Sequence, residues 1–225
     1  MDKKLILDTL EKAKKDSKKR NFKQSVDLLI NLKGLDLKKP EHQKEFFITL
    51  HEGRGQKSKV CALVPDELEA KAKDVYDAVI KESDFERTSK DKALMRKLAK
   101  DHEYFVAIAT IMPKIAMHFG KVLGPKGKMP NPKLGCVLPP TADMKPLYEK
   151  LQKTLRITIR ASSHVLCKLG KEDDDVEKIY DNLMTIYNGV VSHLPNDKQN
   201  VKNVCLKLTM GHPIKIEKEK EKQKK

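Results

Sequence analysis

Tryptophan is absent from these 225 residues, aromatic residues amount to 5%, and only four cysteines occur. With so few rings, core packing must rest on Leu, Ile, Val and Ala. Cys61, Cys136, Cys167 and Cys205 lie far apart, with no Cys-x-x-Cys and no Cys/His cluster. That removes the spacing of a zinc site and points to reduced, buried thiols in a cytoplasmic protein. No run of ~18 apolar residues exists, so no segment is expected to span a membrane. Near the N-terminus Asp8 and Glu11 interrupt the apolar stretch, which leaves no h-region for secretion. Acidic residues are also in short supply, 32 Asp+Glu against 47 Lys+Arg, for a formal net charge of +15. A surplus of that size implies a polyanionic partner, with nucleic acid the natural candidate, against the plainer reading of a solubilising lysine halo.

Catalytic constellations are missing as well. His51, His102, His118, His164 and His212 are dispersed without a repeated metal-ligand spacing, and no nucleophile stands beside a base. Asp173-Asp174-Asp175 is the one carboxylate cluster. It sits where a helix is expected to begin, and capping with favourable helix-dipole electrostatics accounts for it. No catalytic residue, cofactor or metal is therefore assigned.

What is present is concentrated in one stretch, Gly120 to Lys133, which packs three Gly, three Pro and four Lys into fourteen residues with no acid among them. Gly and Pro should fix its course and keep it out of helix or central strand. Lys121, Lys126, Lys128 and Lys133 would then project from a rigid basic loop. It is not a nucleotide loop. The residue after Gly127-Lys128 is Met129 rather than Ser or Thr, Val122 occupies the place of the first Walker glycine, and the glycine spacing does not fit a dinucleotide fingerprint.

Periodicity divides the chain by texture. Residues 2–19 predict an amphipathic helix with Leu5, Ile6, Leu10 and Ala13 on one face. Phe22, Val26, Leu28, Ile30 and Leu32 alternate as in a half-buried strand, and Gln24 breaks that series, so its first residues should face something polar. Phe46–Leu50 predicts a second strand and Gly53-Arg54-Gly55 a flexible joint. From about residue 59 short apolar runs (Val60–Val64, Asp77–Ile80, Tyr104–Ala109) alternate with helical patterns, one opened by Pro65-Asp66-Glu67 and one capped by Thr88 or Ser89. That alternation indicates a parallel α/β sheet, closed by a helix near Lys145–Thr154. The first texture then returns with strands at Ile157–Arg160 and Val165–Leu169, a long helix from Val176 to Val191, and a last strand through Val204, Leu206 and Leu208. The Lys/Glu tail beyond Ile216 is too polar to pack and is expected to be disordered. The pattern fits an α/β domain inserted between the halves of another, and it also fits a sequential arrangement.

For nucleic acid, basic residues gather on the opening helix (Lys14, Lys15, Lys18, Lys19, Arg20), in the glycine loop, and around Arg160 and Lys168. Phe22, beside a basic run, fits ribose or base contact and fits core packing equally well. Thr209-Met210-Gly211 ends a strand where a sugar–phosphate backbone could approach the Thr hydroxyl and the backbone N–H groups, although an ordinary strand-ending turn explains it too. A nucleotide-dependent enzyme and a general RNA chaperone are the competing function classes.

Gly124-Pro125-Lys126-Gly127-Lys128-Met129-Pro130-Asn131-Pro132-Lys133 resembles the signature of the ribosomal protein L-one family, the universal large-subunit stalk proteins. Arg20-Asn21-Phe22-Lys23-Gln24-Ser25, the stretch from Lys39-Pro40-Glu41 to Gly55, and Leu208-Thr209-Met210-Gly211 resemble it in the expected order, in an archaeal-like form. The resemblance implies mixed α/β and α+β architecture. Domain I, residues 1–58 and 156–225, would be a split α+β sandwich, and domain II, residues 59–155, an inserted three-layer Rossmann-like α/β domain. Hinges would lie at Gly53, Gly55 and Thr154. The implied site for large-subunit ribosomal RNA comprises Phe22, Ser25, Thr209, Met210 and Gly211, with Arg20, Asn21, Arg160 and Lys168 around it. The resemblance further implies a ribosome-bound cytoplasmic protein that is monomeric when free. It would build the mobile stalk near the exit site, assist release of deacylated transfer RNA, and repress its own messenger RNA.

Overall fold

The computed structural model describes residues 3–18, 20–160 and 162–216. The tail beyond Ile216, expected to be disordered, lies outside the described residues. The chain folds into two compact units: one takes both chain ends, up to Gln56 and from Lys153 onward, and the other spans Lys57–Gln152. Together they give a mixed α/β architecture with antiparallel and parallel sheets.

The split unit is built on an antiparallel four-stranded sheet. Its order is β10 (Ile214–Lys215), β9 (Val201–Leu208), β1 (Ser25–Leu32) and β8 (His164–Lys171). Along β1 every second residue is buried, with Val26, Leu28, Ile30 and Leu32 facing the core. That is the alternation expected of a sheet with one face packed. β2 (Lys44–Thr49) and β7 (Thr154–Ile159) form a separate antiparallel pair, with Thr154 opposite Thr49. Helices α1 (Lys3–Asp16) and α7 (Val176–His193) contribute Ile6, Leu10, Ile179, Leu183, Ile186 and Val190 to the same core. Helix and strand come close at Gly189, where a Cβ would lie 2.4 Å from Cδ1 of Ile48. A side chain there would require the Ile48 side chain to repack.

In the inserted unit β4 (Ala78–Lys81), β3 (Val60–Val64), β5 (Tyr104–Ile108) and β6 (Val137–Leu138) form a parallel sheet in that order. Both central strands, β3 and β5, are buried along their whole length. Their continuous apolar runs reflect this, because the strands of a parallel sheet are covered on both faces. Helices α2 (Glu69–Lys73), α3 (Phe85–Lys90), α4 (Lys92–Asp101), α5 (Met112–Leu123) and α6 (Lys145–Lys153) complete the unit. Phe85 and Phe119 meet edge to face at 5.1 Å, joining α3 to α5.

Four local expectations change. Strand β1 begins at Ser25, so Phe22 precedes it. Thr88 and Ser89 lie inside α3, and the cap of α4 is Asp91, whose Oδ1 accepts from the Ala93 and Leu94 amides. The short, flexible Asp carboxylate reaches two orphan amides from outside the helix, which a residue within α3 cannot do. Gly120–Leu123, expected in a loop, forms the last turn of α5, because burial of Phe119 and Leu123 outweighs the weak helix propensity of Gly120. Asp175 occupies the cap position of α7 but makes no side-chain cap bond. The other two acids of that cluster bond elsewhere, as described below. Among the described residues no helix is long and apolar enough to cross a membrane, and no His/Cys/Asp/Glu group could hold a metal.

Candidate nucleic-acid interface

Strand register brings the distant motifs together. Val26 of β1 lies opposite Leu208 of β9, so the segment entering β1 runs beside the turn leaving β9. On the other side Ser25 lies opposite Lys171 at the end of β8. Three chain segments, 20–25, 171–175 and 208–211, therefore converge at one end of the sheet.

Thr209 locks the junction. Its backbone N–H donates to the Ser25 carbonyl at 3.1 Å, and its Oγ1 accepts the Ser25 N–H at 2.9 Å and donates back to the Ser25 carbonyl at 3.3 Å. The hydroxyl thus already has partners within the protein as both donor and acceptor. Through these bonds Thr209 holds β1 and the turn in register. Gly211 N–H closes that turn onto the Leu208 carbonyl at 2.9 Å.

Gln24 is the residue that sequence reasoning left without a role. It is 2% exposed. Its Oε1 accepts from the Met210 amide at 3.2 Å, its Nε2 donates to Ser17 Oγ at 3.0 Å, and its carbonyl accepts from Glu172 N–H at 3.0 Å. One side chain and its backbone therefore tie the end of α1, the 208–211 turn and the β8–α7 turn together. The signal was the polar residue at an inward place in the alternating series from Phe22 to Leu32.

On this polar scaffold two large apolar side chains face solvent. Phe22 is 51% exposed and Met210 61% exposed. Core packing is thereby ruled out for Phe22. Arg20 and Asn21 are exposed beside it, and Ser25 is partly exposed. Lys23 pairs with Asp173 at 2.7 Å, and that contact raises the lysine pKa and lowers that of the carboxyl. Asp174 Oδ2 accepts from the Lys171 amide at 2.7 Å. A Cβ on Gly55, whose φ is +68°, would lie 2.7 Å from the same oxygen. Glycine is required there on two counts, the left-handed backbone and the close approach.

The other candidate residues are placed elsewhere. Lys168 lies opposite Asp27 within the sheet and donates to Gln56 Oε1 at 2.7 Å. Partial burial holds its pKa below the ordinary value, with Lys171 acting in the same direction. Arg160 follows β7 and shares Glu45 with Arg156, at 2.7 and 2.8 Å. The neighbouring Ser163 carbonyl accepts from Leu32 N–H, at the far end of β1. At ~3.3 Å per residue the length of β1, roughly 25 Å, separates that end from Phe22.

In the inserted unit two of the four lysines of the basic stretch are turned to structural use. Lys128 Nζ donates to the His102 carbonyl at 2.6 Å and Lys126 Nζ to the Arg96 carbonyl at 3.5 Å. His102 is the C-cap of α4, so the Lys128 cation sits at the negative end of a helix. Gly127 has φ +60°, and Asn131 Oδ1 accepts from Lys133 N–H. Lys121 and Lys133 are exposed.

A profile of the Ribosomal protein L1p/L10e family matches residues 12–212. The chain belongs to this family. It is 35% identical to the large ribosomal subunit protein uL1 of Methanocaldococcus jannaschii over 224 residues, covering all of both chains. The uL1 of Methanothermococcus thermolithotrophicus is 38% identical over 220 residues, covering 97% of this chain and all of the relative. That of Thermococcus kodakarensis is 36% identical over 217 residues, covering 96% and 98%. The ribosomal protein L1p/L10e assignment spans both units, and it accounts for the lack of a catalytic constellation.

Proposed function

We propose that the chain is a structural constituent of the large ribosomal subunit, cytoplasmic and ribosome-bound. It would bind large-subunit ribosomal RNA at the sheet end formed by Phe22, Ser25 and Thr209–Gly211. The observation that carries this reading is the pair of exposed apolar side chains, Phe22 and Met210, on a junction fixed by the buried Gln24 and by Thr209. An aromatic ring and a thioether offered on a pre-formed surface suit ribose and base faces, while the surrounding Lys and Arg supply salt-dependent attraction to phosphates. A fixed surface loses little conformational entropy on binding, so the RNA is recognised by shape. Arg160 and Lys168 contribute to the general positive field on this reading, since both already have protein partners.

On the same reading the protein forms the mobile stalk near the exit site and assists release of deacylated transfer RNA. It also represses its own messenger RNA through a site that mimics the ribosomal one. Residues near Gly53, Gly55 and Thr154 are the proposed hinges.

Binding of a stalk fragment of large-subunit RNA is compared with that of an unrelated structured RNA of equal length across a salt series. A preference of ~10³ that survives moderate salt is expected, on the scale of specific nucleic-acid sites. Equal affinities that fall together as salt rises would defeat the proposal.

A further inference from the structure

The inserted unit carries a basic stripe that the site above does not use. In α4 Lys92, Arg96 and Lys100 stand four residues apart, and all three are exposed. With ~1.5 Å of rise per residue they cover about 12 Å of helix axis on neighbouring turns. Lys97 is exposed on the same helix, and Lys121 and Lys126 are exposed on the adjoining α5 and signature loop. The loop is held to α4 through the Lys126–Arg96 carbonyl and Lys128–His102 carbonyl bonds, so helix and loop form one surface.

Two features separate this stripe from an ordinary solvated helix face. First, α4 carries a single acid, Asp101, at its last residue, and the preceding Asp91 is spent on the Ala93 and Leu94 amides. Like charges spaced i, i+4 repel and destabilise a helix, and Lys92 in the first turn also opposes the helix dipole. Secondly, the carboxylates of this unit that form ion pairs serve other cations: Glu69 pairs with Lys73 and Lys81, and Glu82 with Lys114, so none of them offsets the α4 stripe. Unmatched charge on a rigid helix is the arrangement that gains most from a polyanion, because each neutralised phosphate releases counterions.

We propose that the α4 stripe, with Lys121, is a second RNA-binding surface that grips phosphate backbone without reading sequence. It is independent of the Phe22–Met210 site.

The test uses the full chain and a transfer RNA unrelated to the stalk sequence. The variant Lys92→Gln/Arg96→Gln/Lys100→Gln is compared with a control of equal charge change in the same unit, Lys59→Gln/Lys71→Gln/Lys145→Gln. The stripe variant is expected to bind transfer RNA at least ~10-fold more weakly at low salt. Its slope of log affinity against log salt should be shallower by about 2–3, the loss expected for three phosphate contacts. Its selectivity for the stalk fragment should stay within twofold of the wild-type value. Equal losses in stripe and control variants, or no loss in either, would overturn the proposal and leave the Phe22–Met210 reading untouched. Competition by polyglutamate as effective as that by RNA would also overturn it, by marking the stripe as a dock for acidic protein. Loss of stalk selectivity in Phe22→Ala alone tests the other site and does not bear on this one.

Discussion

The two basic motifs of this chain are built in opposite ways. In the split unit the proposed contact surface is apolar, Phe22 and Met210, and beneath it the buried Gln24 bonds to the Met210 amide and to Ser17. In the inserted unit two of the four lysines of the signature stretch, Lys126 and Lys128, point back at carbonyls of α4 and its cap. The difference separates two uses of charge. Lysines that donate to carbonyls fix a loop, whereas the exposed lysines of α4 are the ones proposed to attract a ligand. Conspicuousness in sequence tracks constraint on the backbone, and constraint need not coincide with contact.

Substitutions can break that comparison at several points. The largest effect is expected for Phe22→Ala/Met210→Ala. Loss of stacking on one aromatic is worth ~1–3 kcal/mol per base, so affinity for the stalk fragment should fall about 100-fold in a binding titration. The melting temperature should hold, because both side chains are exposed. Next is Gln24→Ala, which strands the Met210 amide and removes a buried side chain. A loss of ~1–3 kcal/mol in denaturant unfolding is expected, with a roughly tenfold drop in stalk affinity through the displaced turn. Lys128→Met should cost about 1 kcal/mol of stability by removing the donor at the α4 C-terminus, and should leave stalk RNA binding unchanged.

The smallest effect concerns Asp27, on the sheet beside Lys168 and Lys207. Burial raises its carboxyl pKa, while Lys207 and Lys168 pull it down. With the folded value above the unfolded one, its contribution favours folding below the ordinary carboxylate range and is lost as pH rises through the raised value. Asp27→Asn should therefore flatten stability across that window and leave it equal or slightly higher at neutral pH, as read by melting temperature against pH.

Legibility followed the length of the physical signal. The fully buried strands β3 and β5 were plain as unbroken apolar runs, and β1 as alternation from Val26 onward. The two-residue strands β6 and β10 carry no period to detect. Asp91 was missed as a cap because α3 and α4 abut with one residue between them, so Thr88 and Ser89 fell inside a helix. At the candidate site Phe22 and Thr209–Gly211 stood out, but their meeting depends on the register of β1 with β9, across about 180 residues of chain. Gln24 announced only that something polar lay opposite. Its partners, Ser17 and Met210, are set by tertiary packing that no local pattern encodes.

The central claim is that RNA specificity resides at the Phe22–Met210 end of the split unit. Amide hydrogen exchange with and without the stalk fragment tests it most directly. Protection concentrated in residues 20–25 and 208–212 is the predicted result. Protection confined to residues 121–133, or spread evenly over the basic surface, would contradict the account.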